Sequence, residues 1–465
     1  MGSSSGREAF DAIVIGAGQA GPALAVRCAQ QGLKTALIER AQLGGTCVNN
    51  GCIPTKTWVA SARAAQVARR AAEWGVTIDS PVRVDMAAVK ARKDGVVQQS
   101  RDGLAGWIGG TDGLTLVRGH ATFTGPRTID VDGRALTAPK IFLNVGGEAA
   151  RPGIAGLDRV SALDNRSILE LDTLPAHLVV IGGSYIGLEF AQMFRRFGSQ
   201  VTVCEMGPRL IAREDPEVSQ AVREILEREG IDVRVDAKCL SVAPRAGGGV
   251  AVGTSCAEGD PEVHGSHLLL ATGRVSNTAD LGLDAAGIAT DPRGNIPVND
   301  RLETEVPGVW ALGDCNGRGA FTHTSYNDYE IVAANLFDGG DRKASDRIPT
   351  YALFIDPPLG RCGLTEREVR EKGLNALVAT MPMTRVGRAR EAGETQGFMK
   401  VLVDADSKLI LGASLLGMGA DEVVHSILDV MAARQPYTTI THTVHIHPTV
   451  SELIPTLLGS LKPLD

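Results

Sequence analysis

Two cysteines stand five apart in the stretch G-G-T-C-V-N-N-G-C-I-P-T-K, residues 44–56: Cys47 and Cys52. Such a pair has three uses: a structural crosslink, part of a metal site, or a dithiol that is oxidised and reduced in turn. A zinc site needs further ligands at suitable spacing, and none is adjacent. A redox thiol needs a base, because the thiolate and not the thiol is the nucleophile. Far along the chain, H-T-V-H-I-H-P-T-V-S-E supplies His442, His445 and His447, with Glu452 just beyond. Those residues offer either a base with an orienting acid or a set of metal ligands.

The bulk numbers narrow these uses. The chain has 465 residues, enough for two to four domains of ordinary size. Its 55 glycines and 4% aromatic content suit many tight turns between strands and helices. A formal charge of −7 argues against nucleic acid or an anionic membrane as the main partner. No apolar run approaches the roughly 20 residues of a membrane span. The first residues lack the apolar core of a signal peptide, which predicts a cytoplasmic protein. Eight cysteines are present, and apart from Cys47 and Cys52 they are scattered: Cys28, Cys204, Cys239, Cys256, Cys315 and Cys362. A reducing compartment disfavours a disulfide framework and leaves the close pair as catalytic or metal-binding.

The elements that must position these residues repeat. An apolar run of strand length, 12–15 (AIVI), is followed by Gly16, Gly18 and Gly21, a helical pattern, and a second strand ending at Glu39. Later, 178–181 (LVVI) is followed by Gly182, Ser184 and Gly187, another helical pattern, and a strand ending at Glu205. Glu205 follows Gly187 at the interval at which Glu39 follows Gly21. Glycines of this kind let the backbone turn tightly and approach a pyrophosphate at a helix N-terminus, and the acid accepts from a ribose diol. Two matched copies predict two dinucleotide sites. In the second copy Ser184 replaces the middle glycine, which predicts a less free approach to phosphate. Helical stretches are expected over about 55–74 and 85–107, strands over about 114–145 and 267–271, and A-T-G-R (271–274) follows. From about residue 348 the composition shifts: alternating strands through 400–403 and 410–415 and a helix over about 421–433 predict a separate α+β domain.

In this order the motifs G-A-G-Q-A-G, G-G-T-C-V-N-N-G-C-I-P-T-K, a second nucleotide motif ending G-L-E, A-L-G-D, and H-I-H-P-T-V-S-E cover essentially the whole chain. The sequence resembles the flavin-dependent pyridine nucleotide–disulfide oxidoreductases, which include dihydrolipoamide dehydrogenase, glutathione reductase and mercuric reductase. The stretches F-T-H-T-S-Y-N-D-Y-E-I-V (321–332) and P-P-L-G-R (357–361) look most like the reactive-chlorine-resistance branch, associated with Cu(II) or hypothiocyanous acid reduction.

The resemblance implies an α/β protein of glutathione-reductase-like architecture. It has an FAD domain in two parts (1–152 and 277–345), an NAD(P) domain (153–276), and an α+β interface domain (346–465) that makes a homodimer. It implies FAD at Gly16, Gly18, Gly21 and Glu39, with Gly45, Thr46, Asp314, Thr322 and Gly273 also near the cofactors. NADH or NADPH is implied at Gly182, Ser184, Tyr185, Gly187 and Glu205. Glu205 favours NADH, because an acid there repels a 2′-phosphate, whereas Arg209 and Arg213 nearby suit one. Tyr185 is similar to the tyrosine that covers the flavin and moves aside for nicotinamide. Lys56 and Glu189 match a family pair near the flavin. By the same resemblance Cys47 and Cys52 form a redox disulfide, Cys52 toward the flavin and Cys47 toward substrate. His447, oriented by Glu452, serves the disulfide of the other subunit.

Positions five apart on a regular helix lie about 140° apart around its axis, which would not close a disulfide comfortably. Gly51 and Pro54 predict a distorted turn between the cysteines, and some strain would ease reduction. The oxidant implied is a small molecule or metal ion, with no resident metal, nucleic acid or membrane. Dihydrolipoamide dehydrogenase is the first alternative, which Glu189 and Glu205 suit, although Tyr185 and F-T-H-T-S-Y depart from its pattern. A mercuric reductase would carry a C-terminal cysteine pair, but the chain ends L-G-S-L-K-P-L-D. Glutathione reductase would need clearer NADPH-type arginines. A flavin-bound redox sensor with slow turnover is the alternative of another class.

Overall fold

The computed structural model describes residues 7–255 and 262–464, so Cys256 lies outside the described residues. The chain divides into two compact units. The first comprises the residues up to Thr57, Lys90–Ala150 and Thr272–Arg347; the second comprises Trp58–Val89, Arg151–Ala271 and the residues from Ile348 onward.

The first unit is built on a five-stranded parallel sheet. In spatial order its strands are Val309–Ala311, Lys140–Leu143, Ala12–Ile15, Thr35–Glu39 and Leu114–Arg118. Strands covered on both faces read as unbroken apolar runs, and Ala12–Ile15 and Thr35–Glu39 are buried at every position. Helix Ala20–Gln30 crosses back between them. A four-stranded sheet, Glu8–Ala9, Arg134–Thr137, Thr128–Val131 and Ala121–Gly125, holds a second part of this unit's core around Phe123, Ile129 and Leu136.

The second unit repeats the parallel plan. Its strands run Ala162–Leu163, His267–Leu270, His177–Ile181, Gln200–Cys204 and Asp232–Arg234, with helix Tyr185–Phe197 as the crossover. A three-stranded antiparallel sheet beginning at Lys238–Pro244 is added. The same unit contains a six-stranded antiparallel sheet: Thr350–Leu353, Leu359–Gly363, Ile410–Leu416, Phe398–Asp404, Ala376–Pro382 and Lys462–Pro463. Helix Ala420–Ala432 packs Val424 and Ile427 into the core of that sheet. The expected alternation of its strands gives way to burial on both faces: every residue from Met399 to Val403 is buried. Even Lys400 is 3% exposed, because its ammonium pairs with Asp215, Glu217 and Glu366.

Candidate active site

The redox stretch is shaped by its glycines. Gly44 (φ 95°) opens the short helix Gly45–Asn50, which carries Cys47. At Gly51 the backbone leaves helical geometry (φ −135°, ψ −117°), and Cys52 begins the helix Cys52–Arg69. A Cβ on Gly51 would stand 2.8 Å from the Thr46 carbonyl oxygen, so the break requires a residue without one. The expected distortion between the cysteines is therefore present, with Gly51 as its pivot. The stretch is seated on the first glycine turn. Gly44 N–H donates to the Ala17 carbonyl at 2.8 Å, and a Cβ on Gly45 would stand 2.7 Å from Gly18 Cα. Asn49 staples it further, donating to the carbonyls of Leu43 (2.9 Å) and Gly45 (2.8 Å) while accepting from Arg101 Nε at 2.6 Å.

Cys47 and Cys52 are both half-buried. Cys52 Sγ lies 3.0 Å from the Thr322 hydroxyl, at the first residue of helix Thr322–Phe337. A helix N-terminus favours negative charge, so this placement supports a thiolate at Cys52. The Cys47 thiol is pushed well above the usual range, first by its hydrogen bond with Cys52 and then by burial. A base beside Cys47 would counter that shift. Lys56 lies one helical turn after Cys52, on the same face.

The first glycine turn is held from both sides. Glu39 accepts from Ala17 N–H at 2.8 Å with one carboxylate oxygen and from Ala41 N–H at 2.7 Å with the other. Asn144 Oδ1 accepts from Gly21 N–H at 3.0 Å, and its Nδ2 donates to the Leu312 carbonyl at 3.1 Å. Gly16 has φ 100°, and a Cβ there would meet the Asn144 carbonyl oxygen at 2.3 Å. Leu312 leads into Asp314, whose carboxyl is raised by burial and opposed by Arg274, with Nε 3.5 Å away. The Asp328 carboxylate, fully buried, accepts from Gly313 N–H at 2.8 Å and from Asn316 at 2.9 Å, and pairs with Arg347. Around Gly273 (φ 131°) a Cβ would meet nothing within 4 Å. A strand-to-helix turn whose own N-cap residue, Gln19, supplies no side-chain cap, with an acid at the neighbouring strand end, fits a dinucleotide.

The second turn copies this arrangement within its own unit. Glu205 accepts from Gly183 N–H at 2.6 Å and from Gly207 N–H at 2.8 Å. Gly182 (φ 119°) faces the Ala271 carbonyl, and Gly187 faces the Gly182 carbonyl. Ser184 is exposed and begins helix Tyr185–Phe197 without a side-chain cap. Arg209 donates to the Ala212 carbonyl at 3.2 Å. Glu189 is buried and accepts from Phe354 N–H at 3.0 Å. Farther along this unit, His447 Nδ1 lies 2.9 Å from Glu452 Oε2. The imidazole is 79% exposed while the carboxylate is mostly covered. His445 Nδ1 is 2.9 Å from the Thr443 carbonyl. Among the described residues, one group of three carboxylates has its oxygens close enough to hold a cation, Asp215, Glu217 and Glu366. There the Lys400 ammonium already pairs with all three.

Sequence reasoning missed Asn144, Arg101 and Asp328. Each acts on the site through a contact outside its own segment, and Asp328, although it lies in the 321–332 stretch, gave no sign there of its contacts with Gly313, Asn316 and Arg347.

A redox-capable cysteine pair seated on one of two glycine turns defines a flavin- and pyridine-nucleotide-dependent disulfide oxidoreductase. The chain belongs to that family: the pyridine nucleotide-disulphide oxidoreductase model matches residues 10–328, and the family's dimerisation domain matches residues 349–458. It is 34% identical to the probable pyridine nucleotide-disulfide oxidoreductase RclA of Escherichia coli, over 97% of this chain and 99% of the relative. It is 33% identical to a mercuric reductase of Streptomyces lividans, over 96% of this chain and 94% of the relative. It is 34% identical to a dihydrolipoyl dehydrogenase of Chlamydia pneumoniae, over 96% of this chain and 95% of the relative. The solved structure of the HOCl-induced flavoprotein disulfide reductase RclA matches with a TM-score of 0.88, 34% identity, and coverage of 97% of this chain and 100% of that one. The glutathione-reductase-like architecture and the oxidoreductase class expected from the sequence are thereby established. No helix among the described residues is long and apolar enough to cross a membrane.

Proposed function

We propose that this enzyme uses NADH to reduce a small oxidant through Cys47 and Cys52, the oxidant being a metal ion such as Cu(II) or Hg(II) or a reactive species such as hypothiocyanous acid. The observation that carries the reading is the Cys52–Thr322 contact in a cysteine-bearing stretch bonded to the first glycine turn. Bound FAD would accept hydride from the nicotinamide and pass the electron pair to the cysteine disulfide. The chain's own residues do the rest. Gly16, Gly18, Gly21 and Glu39 hold the dinucleotide, with Gly45, Thr46, Asp314, Thr322 and Gly273 beside the flavin portion. Gly182, Ser184, Gly187 and Glu205 hold NADH. The Glu205 carboxylate, fixed by two loop amides, sets a negative charge against a 2′-phosphate, which favours NADH over NADPH. Thr322 supports negative charge on Cys52. Lys56 and Glu189 serve the flavin edge.

His447 takes the Cys47 proton and Glu452 fixes its ring. The imidazole faces solvent on its own chain, which suits a base delivered to the partner subunit of a homodimer. The division into an FAD domain (1–152 and 277–345), an NAD domain (153–276) and an interface domain (346–465) follows from these roles. Two of the similar proteins bear on the oxidant, since one solved structure at TM-score 0.88 is a Cu(II) complex of RclA and one relative is a mercuric reductase. Dihydrolipoyl dehydrogenase is the second reading, favoured by a relative at equal identity.

An NADH-oxidation panel with Cu(II), Hg(II), hypothiocyanous acid, glutathione disulfide and lipoamide separates these readings. Cys47→Ser is expected to abolish turnover with every active oxidant while leaving flavin reduction by NADH intact. Turnover that survives the substitution would sink the disulfide route, and lipoamide as the best substrate would select the second reading.

A further inference from the structure

Of the A-T-G-R segment, the proposed mechanism uses only Gly273. Arg274 begins the strand Arg274–Ser276, which pairs antiparallel with Gly147–Ala149. Its guanidinium is anchored at one end and presented at the other. Nη2 donates to the Gly147 carbonyl and stands 3.4 Å from the hydroxyl of Thr46, the residue before Cys47. Nε stands 3.5 Å from Asp314 Oδ2. The same strand makes a second contact with the A-L-G-D turn, since the Ser276 hydroxyl lies 3.5 Å from the Asp314 carbonyl. One arginine thus joins the redox stretch, the strand pair and the acid of that turn.

The charge balance at Asp314 gives this contact its weight. Burial raises the Asp314 carboxyl, and Arg274 is the largest influence in the other direction. Asp328, on helix Thr322–Phe337, adds to the effect of burial, although its own carboxylate is matched by Arg347. The adjoining Cys315 thiol brings no charge, because burial pushes it up to about 12. Without Arg274, burial and Asp328 remain, and both favour the neutral acid. The Arg274 and Asp314 side chains are 19% and 23% exposed, so solvent screens their attraction only in part while the carboxylate stays open to a ligand. An ionised carboxylate offers about four lone-pair positions, and one cation at 3.5 Å leaves room for hydroxyl donors. A hydrogen bond from a hydroxyl to a carboxylate is about twice as strong as one between neutral groups. A protonated Asp314 forfeits that gain.

We infer that Arg274 is a positioning residue: it holds Asp314 as a carboxylate aimed at the hydroxyl-rich ribityl chain of bound FAD. The inference rests on the proposed placement of Asp314 beside the flavin. Gly147 and Thr46 fix where the guanidinium sits, so its charge falls on the carboxylate and not in solvent. Removing the guanidinium then moves the loss of flavin to higher pH, because Asp314 takes up its proton sooner as the solution becomes more acidic. Damage to packing alone would weaken flavin retention without moving its pH dependence.

The test uses the flavin-loaded enzyme, diluted across a pH series, with the fluorescence of the FAD set free as the readout. Arg274→Gln is expected to shift the half-point of release to higher pH. In mildly acidic buffer it should release flavin about tenfold more readily than the parent, the size of one hydrogen bond to a charged group. Arg274→Lys, which keeps the charge, is expected to bring the half-point back toward that of the parent. Arg274→Met, of similar length and uncharged, is read in the same way as the Gln variant, so the outcome does not hang on the folding of one variant. In an Asp314→Asn background, Arg274→Gln is expected to leave the half-point where it is. Weaker retention in the uncharged variants with an unmoved half-point would mean that the guanidinium acts on the cofactor or the fold alone, and overturns the inference. An equal shift with and without the Asp314 carboxylate overturns it too. If Asp314→Asn retains flavin as the parent does at every pH, the placement of Asp314 fails, and the inference falls with it.

Discussion

The two glycine turns share their backbone contacts, and one pair of the positions at which they differ is instructive. In the first, Gly16 N–H donates to the Ile38 carbonyl at 2.8 Å; in the second, Gly182 N–H donates to the Cys204 carbonyl at 2.9 Å. A Cβ on Gly21 would stand 2.0 Å from the Gly16 carbonyl oxygen, and one on Gly187 would stand 2.1 Å from that of Gly182. Each terminal acid accepts from one amide of the glycine turn and from one amide two residues beyond itself. Asn144 and Ala271 occupy matching places, each donating its N–H at 2.8 Å to the last residue of the first strand, Ile15 or Ile181. Here the copies part. Asn144 extends a carboxamide over its turn, and a Cβ on Gly18 would meet its Oδ1 at 3.1 Å. Ala271 has no such group, and the matching Ser184 is exposed. The serine is thus explained without reference to phosphate: the middle position must be glycine where a side chain caps the turn and is released where none does.

The largest effects should separate the two turns by ligand. Gly21→Ala and Gly187→Ala both force a Cβ into a backbone carbonyl, at a cost of about 1–3 kcal/mol of stability. Gly21→Ala is expected to purify with little flavin. Gly187→Ala should keep its flavin absorbance but be reduced by NADH roughly a hundredfold more slowly, because the nicotinamide is misplaced. Loss of flavin from both variants alike would dissolve the assignment of one nucleotide to each turn.

The acids give the next effect. Glu205→Ala leaves the Gly183 and Gly207 amides without their acceptor, worth about 1–3 kcal/mol to the turn. It also removes the charge set against a 2′-phosphate, so the ratio of kcat/KM for NADH over NADPH should fall about tenfold or more. Glu39→Ala should weaken flavin retention and leave that ratio alone. A ratio that moves with Glu39 and not with Glu205 would reverse the two sites.

What the sequence disclosed and what it hid follow from the same contrast. The strands AIVI and LVVI were legible because a parallel strand buried on both faces has no polar positions to blur it. The glycines and their acids were legible because they belong to a single local unit. Asn144 was not, since it sits 123 residues from the amide it caps and looks like any strand-end asparagine. Arg101, which holds Asn49 of the redox stretch, is one of many charges on a long helix. Lys400 read as the polar position of an alternating strand, yet three carboxylates from other segments let it be buried. The His447–Glu452 pair was legible because both residues lie in one short segment. In each hidden case the residue's partner came from a segment that no local pattern links to it.

Transplanting the difference sharpens it. Gly18→Ser should destabilise the first turn by about 1 kcal/mol, because Asn144 is tied to Gly21 and Leu312 and does not give way freely. Asn144→Ala alone should cost about as much, through the lost hydrogen bonds. Combined, the two should cost less than their sum by at least about 0.5 kcal/mol, since the double variant reproduces the second turn's pairing of serine with alanine. Denaturant unfolding of the flavin-loaded protein reads this. Strict additivity would mean that Asn144 does not set the requirement at Gly18.

The smallest effect is the reverse change. Ser184→Gly should leave the KM for NADH within about twofold, because the side chain is exposed and caps nothing. Ser184 sits in extended backbone (φ −115°, ψ −172°), a conformation open to any residue. The glycine therefore gains nothing in the folded state, while it enlarges the conformational freedom of the unfolded chain. Stability should fall by less than about 1 kcal/mol. The informative quantity is the sign of the change in KM. A glycine that tightens NADH by tenfold would show that the serine crowds the phosphates after all, and that the middle position is governed by the ligand in this turn and by Asn144 in the other.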